Sequence, residues 1–133
     1  MTIIRTTAKK LNSAMNIIAE GIANDLRNEL VFACPVDTGL LKNSIVVDKV
    51  GKNFIIKMND YGYFVEFGTP PHIIRPKNGK ALKFKVAGTT VFATSVNHPG
   101  TRPNPFIRTT INTKLKSIIM NNFKRHLTWV IQN

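Results

Sequence analysis

Near both ends of the chain the apolar residues recur every three or four positions, and between those ends they do not. Ala8, Leu11, Met15, Ile18, Ile22, Leu26 and Leu30 mark one face of a helix over residues 7–33. Thr6 or Thr7 offers an N-cap oxygen. Pro35 stops the pattern, because the residue before a proline resists the helical region. At 1.5 Å per residue such a helix runs roughly 39 Å, long enough to stand clear of a small core and meet a neighbour. Phe106 or Ile107, Ile111, Leu115, Ile118 or Ile119, Phe123, Leu127 and Val130 form a second stripe to the chain end. Asn104 caps this helix, with Pro105 at its first position, where a missing amide hydrogen costs nothing.

The middle reads as short strands and loops. Asp37 precedes one or two helical turns over 40–45 and reads as their N-cap. Residues 45–50 and 53–59 flank Gly51-Lys52 as a hairpin, with Phe54, Ile56 and Met58 on one face and Ile55 and Lys57 on the other. The aromatic run 61–69 suits either a strand or one helical turn ending at Gly68. Residues 70–80 form a proline-rich loop. Residues 81–86 alternate, with Leu82, Phe84 and Val86 inward and Lys83 and Lys85 outward, and 91–96 return after Gly88. Residues 97–104 are turn chemistry throughout. The strands are consecutive, so the expected class is α+β: a mostly antiparallel sheet of two hairpins covered by long N- and C-terminal helices.

At 133 residues the chain is expected to form a single domain, 1–133. A chain of this length buries roughly 68% of its unfolded surface without help from metals or disulfides. No run approaches the length of a membrane span. Asn12, Ser13 and Asn16 break the apolar residues behind Arg5, Lys9 and Lys10, so no signal peptide is expected. Cys34 is the only cysteine, which fits a reducing compartment. The net charge is +12, and it is unevenly placed. All seven acids (Glu20, Asp25, Glu29, Asp37, Asp48, Asp60, Glu66) precede residue 67, and the second half, net +11, has none. That half repels itself unless it meets an anionic partner, either nucleic acid or the acidic face of a protein.

Catalytic chemistry finds no footing in the residues. Cys34 ends an apolar helix beside a proline and reads as a buried inert thiol. Ser13, Ser44, Ser95 and Ser117 lie outside any Gly-x-Ser-x-Gly elbow. His72, His98 and His126 lack metal-ligand spacing. His72 and His98 could meet between neighbouring loops, but backbone bonding suits them better than ligation. The carboxylates are scattered, and no phosphate-cradling glycine motif is present. No catalytic, cofactor-binding or metal-binding residue is therefore assigned, and no cofactor is expected. What remains is basic: Arg75, Lys77, Lys80, Lys83 and Lys85 along one loop and strand, with Arg102 and Arg108 near the next loop. They suit phosphates or an acidic protein surface without base readout. The Lys and Arg of the last helix are spread around it, so sequence-specific DNA reading is not expected.

Five motifs occur in one order: Asp37-Thr38-Gly39-x-Leu41-x-x-Ser44-Ile45; Tyr63-x-Val65-Glu66-Phe67-Gly68-Thr69; Pro71-His72-Ile73-Ile74-x-Pro76; Lys80-Ala81-Leu82-x-Phe84; and His98-Pro99-Gly100-Thr101-x-Pro103-x-Pro105-Phe106. In this the chain resembles the tailed-phage neck or tail-completion family, named after gene product ten of an HK-type coliphage. The motifs cover 37–107, about half the chain, and the flanking helices match in pattern only.

The resemblance implies a non-enzymatic virion protein of a long-tailed phage, made in the host cytoplasm. It would form a homo-oligomeric ring, six copies being the expectation, at the head–tail neck. Its partners would be portal or head-completion proteins and tail-tube or tail-terminator proteins. Genomic DNA would pass through it without sequence readout, and no membrane is involved. A passage about 30 Å tall encloses only about 18 phosphates, so only part of the basic set can face DNA. The rest would meet acidic protein surfaces. Glu66, Phe67, His72, His98 and Pro99 are the subunit-interface candidates. Glu66 reads equally as a partner for a basic residue of a neighbour and as a solvated surface carboxylate. Gly39, Gly68 and Gly100 are expected where a β-carbon would be penalised. The other reading, from charge alone, is a sequence-independent nucleic-acid-binding protein.

Overall fold

The computed structural model describes residues 2–132, with side chains from 9 to 128. In chain order the elements are α1 (Thr2–Ala33), α2 (Leu40–Ser44), β1 (Val46–Val50), β2 (Asn53–Lys57), α3 (Tyr61–Phe67), β3 (His72–Ile74), β4 (Leu82–Val86), β5 (Thr89–Ala93), β6 (Val96–His98) and α4 (Phe106–Gln132). The fold is α+β, with long helices at both ends and antiparallel strand pairs between them. The strands make three separate two-stranded ladders: β1 with β2, β3 with β6 and β4 with β5. The residues group into two compact units, a helical unit (Met1–Gly62 with Pro105–Asn133) and a β-rich unit (Tyr63–Asn104).

In the helical unit α1 and α4 pack along each other. Ala14, Ile18, Ala23 and Leu30 of α1 are buried, as are Phe106, Thr110, Ile118 and Asn122 of α4, with Cys34, Leu41 and Ile45. The contact face keeps Ile18, Leu30, Phe106 and Ile118 of the expected stripes and departs from them elsewhere. Leu11 and Met15 are exposed, and the small Ala14 and Ala23 take the inner positions. Ile111 and Leu127 are likewise exposed while Thr110 and Asn122 are buried. Ala8 and Val130 lie outside the described side chains. Small residues on α1 let the helices approach closely enough to hold a polar side chain.

Asn122 is that side chain, fully buried at 0% exposure. Its Nδ2 donates to Asp25 Oδ2 and to the Ile118 carbonyl, each at 2.8 Å. Its Oδ1 is buried without a hydrogen-bond partner and occupies the space a β-carbon on Gly21 would need. A buried amide of this kind fixes one register of two helices more narrowly than apolar packing does.

The β1–β2 hairpin follows the expected alternation, with Phe54, Ile56 and Met58 half-buried and Ile55 and Lys57 exposed. Arg27 Nε of α1 donates to the Ile45 carbonyl at 2.9 Å and ties the hairpin's start to the helix. On the outer face Lys57 bonds Asp48 at 2.6 Å and holds that carboxyl below the usual aspartate range. The pair is exposed, so it contributes to hairpin register more than to stability.

Several boundaries depart from the sequence reading. α1 begins at Thr2, so Thr6 and Thr7 lie inside it. Asp37 does not cap α2: Gly39, in the left-handed region at φ +82°, holds the N-cap, and the Leu40 amide donates to Thr38 Oγ1 at 3.4 Å. β2 ends at Lys57. The aromatic run is a helix, closed by the Gly68 amide donating to Phe64 O at 2.8 Å. Residues 70–80, expected as a loop, contain β3. The returning segment is split into β5 and β6. The Pro105 carbonyl accepts from the Thr109 amide at 3.0 Å, as the start of α4 requires.

Gly21→Ala should destabilise the helical unit by about 1–3 kcal/mol despite alanine's helix propensity. In an Asn122→Ala background the same change should stabilise by up to about 1 kcal/mol. Urea denaturation of the four chains of this cycle measures both signs.

Candidate functional site

Two Gly-Thr dipeptides, Gly68-Thr69 and Gly100-Thr101, cross in the β-rich unit. The Thr69 amide donates to the Thr101 carbonyl at 3.1 Å, and the Thr101 amide to the Thr69 carbonyl at 3.0 Å. The threonine hydroxyls meet at 3.1 Å. Further along, β3 and β6 pair antiparallel, His72 with His98, Ile73 with Asn97 and Ile74 with Val96. The threonine bridge keeps this register, so Pro70 falls opposite Gly100 and Pro71 opposite Pro99.

Residue pairs of an antiparallel ladder alternate between exchanging both bonds and none. After Thr69 and Thr101, the next exchanging pair would be Pro71 and Pro99. Neither has an N–H, so the ladder breaks there. The two histidines take up the backbone groups beside the gap. His98 Nδ1 accepts from the Gly100 amide at 3.0 Å. His72 Nδ1 lies 2.9 Å from the Pro70 carbonyl. A carbonyl only accepts, so His72 carries its proton on Nδ1, while His98 must keep Nδ1 bare and carry its proton on Nε2. The rings stack at 4.8 Å between centroids. Both histidines are thus brought together and backbone-bonded, as the residue types suggested. The tautomers oppose joint ligation: only His72 presents a bare Nε2. Among the described residues no three His, Cys, Asp or Glu side chains gather as a metal site would.

Both glycines are left-handed, Gly68 at φ +71° and Gly100 at +82°. A β-carbon on Gly68 would press on the Thr101 carbonyl and the Pro103 nitrogen, and one on Gly100 on the Thr69 carbonyl and Pro70. Backbone meets backbone at the crossing, so nothing there yields to an added methyl. The Asn104 amide closes the base by donating to the Val65 carbonyl at 2.8 Å. The sequence reading missed the crossing. Its signal was present in the reversed order of the two segments, Gly-Thr-Pro-Pro-His against His-Pro-Gly-Thr.

This clasp holds the ends of a basic arm, residues 75–95. Arg75, Lys77, Lys80, Lys83 and Lys85 all lie within it and are exposed, and Arg102 is exposed beside the crossing. Arg108 is also exposed, but it belongs to α4 of the helical unit. In the β4–β5 hairpin, Lys83 faces Phe92 and Lys85 faces Thr90. These four are exposed on one side, opposite the half-buried Leu82, Phe84, Val91 and Ala93, while Val86, expected inward, is exposed at the hairpin's turn.

Of the interface candidates, Phe67 is 52% exposed. His72 and Pro99 are exposed and His98 is half-buried. Glu66 corrects both sequence readings. It is 2% exposed, so it is neither a solvated surface carboxylate nor a group offered to a neighbour. It is the only buried side chain of residues 63–104: this unit buries no apolar side chain completely. Its solvent-facing charges are consequently all positive.

Elsewhere, Cys34 is 4% exposed, and burial pushes its thiol pKa up, away from the reactive thiolate. Ser44 Oγ donates to the Leu41 carbonyl at 2.6 Å and accepts from the Asn59 amide at 3.0 Å. Among the described residues no helix is long and apolar enough to cross a membrane. In comparisons with known proteins, no family model, no curated protein and no solved structure matches the chain.

Gly68→Ala and Gly100→Ala should each open the clasp and speed tryptic cleavage after Lys77 and Lys80 by more than about tenfold. Gly79, at φ +67° with open space around it, is the control. Gly79→Ala carries only the left-handed penalty of about 1–2 kcal/mol and should cleave more slowly than either.

Proposed function

We propose that this chain is a structural subunit of a long-tailed bacteriophage particle. Identical copies close a ring, expected to be hexameric, at the head–tail neck, joining portal or head-completion proteins to the tail tube or its terminator. DNA passes through the ring unread. The role is assembly without catalysis, in the virion after synthesis in the host cytoplasm. One observation carries the reading: the β-rich unit has a tightly specified backbone crossing and no fully buried apolar side chain. A segment this short obtains little stability from such a core, so its rigid crossing serves contacts with neighbours. The resemblance to the neck or tail-completion family supports the same reading, because its motif residues Gly68, Thr69, Pro71, His72, His98, Pro99, Gly100 and Thr101 are the clasp.

The exposed basic arm favours a second reading, a sequence-independent nucleic-acid-binding protein. The two readings differ in behaviour. A neck subunit binds duplex weakly as a monomer, forms rings by light scattering and negative-stain imaging, and is found in purified particles. A nucleic-acid binder shifts duplex readily, with affinity falling steeply as salt rises. Reversing Lys83→Glu with Lys85→Glu should impair head–tail joining or genome ejection. Unchanged joining and ejection would remove these lysines from both roles. A solitary chain absent from particles would overturn the proposal.

A further inference from the structure

We infer that copies of this chain associate head to tail, the α1–α2 corner of one seating on the outer face of the β4–β5 hairpin of the next. This rests on the ring reading and specifies its contact. Among the described residues the corner carries the most exposed large apolar side chains, Phe32 at 86% and Leu40 at 71%, with Val36 at 63%. Its backbone is anchored, since Cys34 and Leu41 between and beside them are buried. Asp37 stands exposed among them, and from Arg27 to Lys42 no positive side chain intervenes. Lys42, half-buried, lies near Cys34, so the exposed charge of this apolar patch is the Asp37 carboxylate.

The hairpin face has the complementary chemistry. Phe92 is 64% exposed and lies opposite Lys83, with Lys85 two residues along. Both patches are exposed. Two hairpin faces would repel each other through their lysines, and two corners would bring like carboxylates together. Corner against hairpin pairs apolar with apolar and carboxylate with ammonium. Every copy carries one of each, so the contact is heterologous, the kind that a closed ring of identical copies requires. Phe32 and Phe92 would be the aromatic anchors of the seam.

The test is cross-linking in the full chain. Val36→Cys and Phe92→Cys are made separately in a Cys34→Ala background, mixed under assembly conditions and oxidised. A disulfide-linked pair is expected from the mixture and from neither variant alone, and a chain carrying both cysteines should link into multimers up to the ring. In parallel, Asp37→Lys should weaken association about tenfold, and adding Lys83→Asp to the same chain should recover it. Circular dichroism on each variant establishes that the fold is retained. Wild-type rings without a 36–92 link, or with 36–36 links, overturn this contact and leave the ring reading standing. A wild-type chain that stays monomeric overturns both.

Discussion

The crossing of Gly68-Thr69 with Gly100-Thr101 constrains everything between residues 68 and 101. The carbonyl of Thr69 occupies the place of a β-carbon on Gly100, and that of Thr101 presses on the place of one on Gly68. Two left-handed glycines are the means by which two chain segments reach that distance. Prolines on both sides of the crossing break the ladder where it would otherwise run on, and the two histidines take up backbone groups at the break. The consequence is a rigid neck carrying a basic hairpin arm.

The two units obtain their order in different ways. The helical unit has an ordinary core, with Ile18 and Ile45 fully buried and Asn122 fixing how α1 meets α4. The β-rich unit has local backbone geometry in place of a core. Its only acid is buried, and its exposed charges share one sign. Such a surface is costly to leave facing itself and favourable to place against anions or a carboxylate-bearing patch. The proposed ring follows from this imbalance.

Much of this was legible in the sequence, and the failures have physical causes. Both terminal helices and both hairpins follow from period alone, because alternation at 54–58 and 82–86 and helical spacing at 7–33 and 106–130 leave little choice. The buried faces were legible in part, through Ile18, Leu30, Phe106 and Ile118. Spacing identified Leu11 and Met15, but close helix approach selects the small Ala14 and Ala23, and a buried asparagine does not register as apolar. Asp37 looked like a cap because its type suits one, but the left-handed Gly39 already holds that position. The clasp was visible only as separate motifs. A bridge between residues 69 and 101 is non-local, and prolines hide it from strand periodicity. The burial of Glu66 had no sequence signal, since its neighbours Phe67 and Tyr63 are themselves exposed.

The central claim is that residues 63–104 are completed by neighbouring copies. Hydrogen exchange of the free chain and of the same chain in purified particles tests it most directly. The account predicts that, in the free chain, amides outside the clasp in 75–95 exchange much faster than those of α1 and α4, and that in the particle they become protected while the helices change little. Equal protection of both units in the free chain, unaltered in the particle, would contradict it.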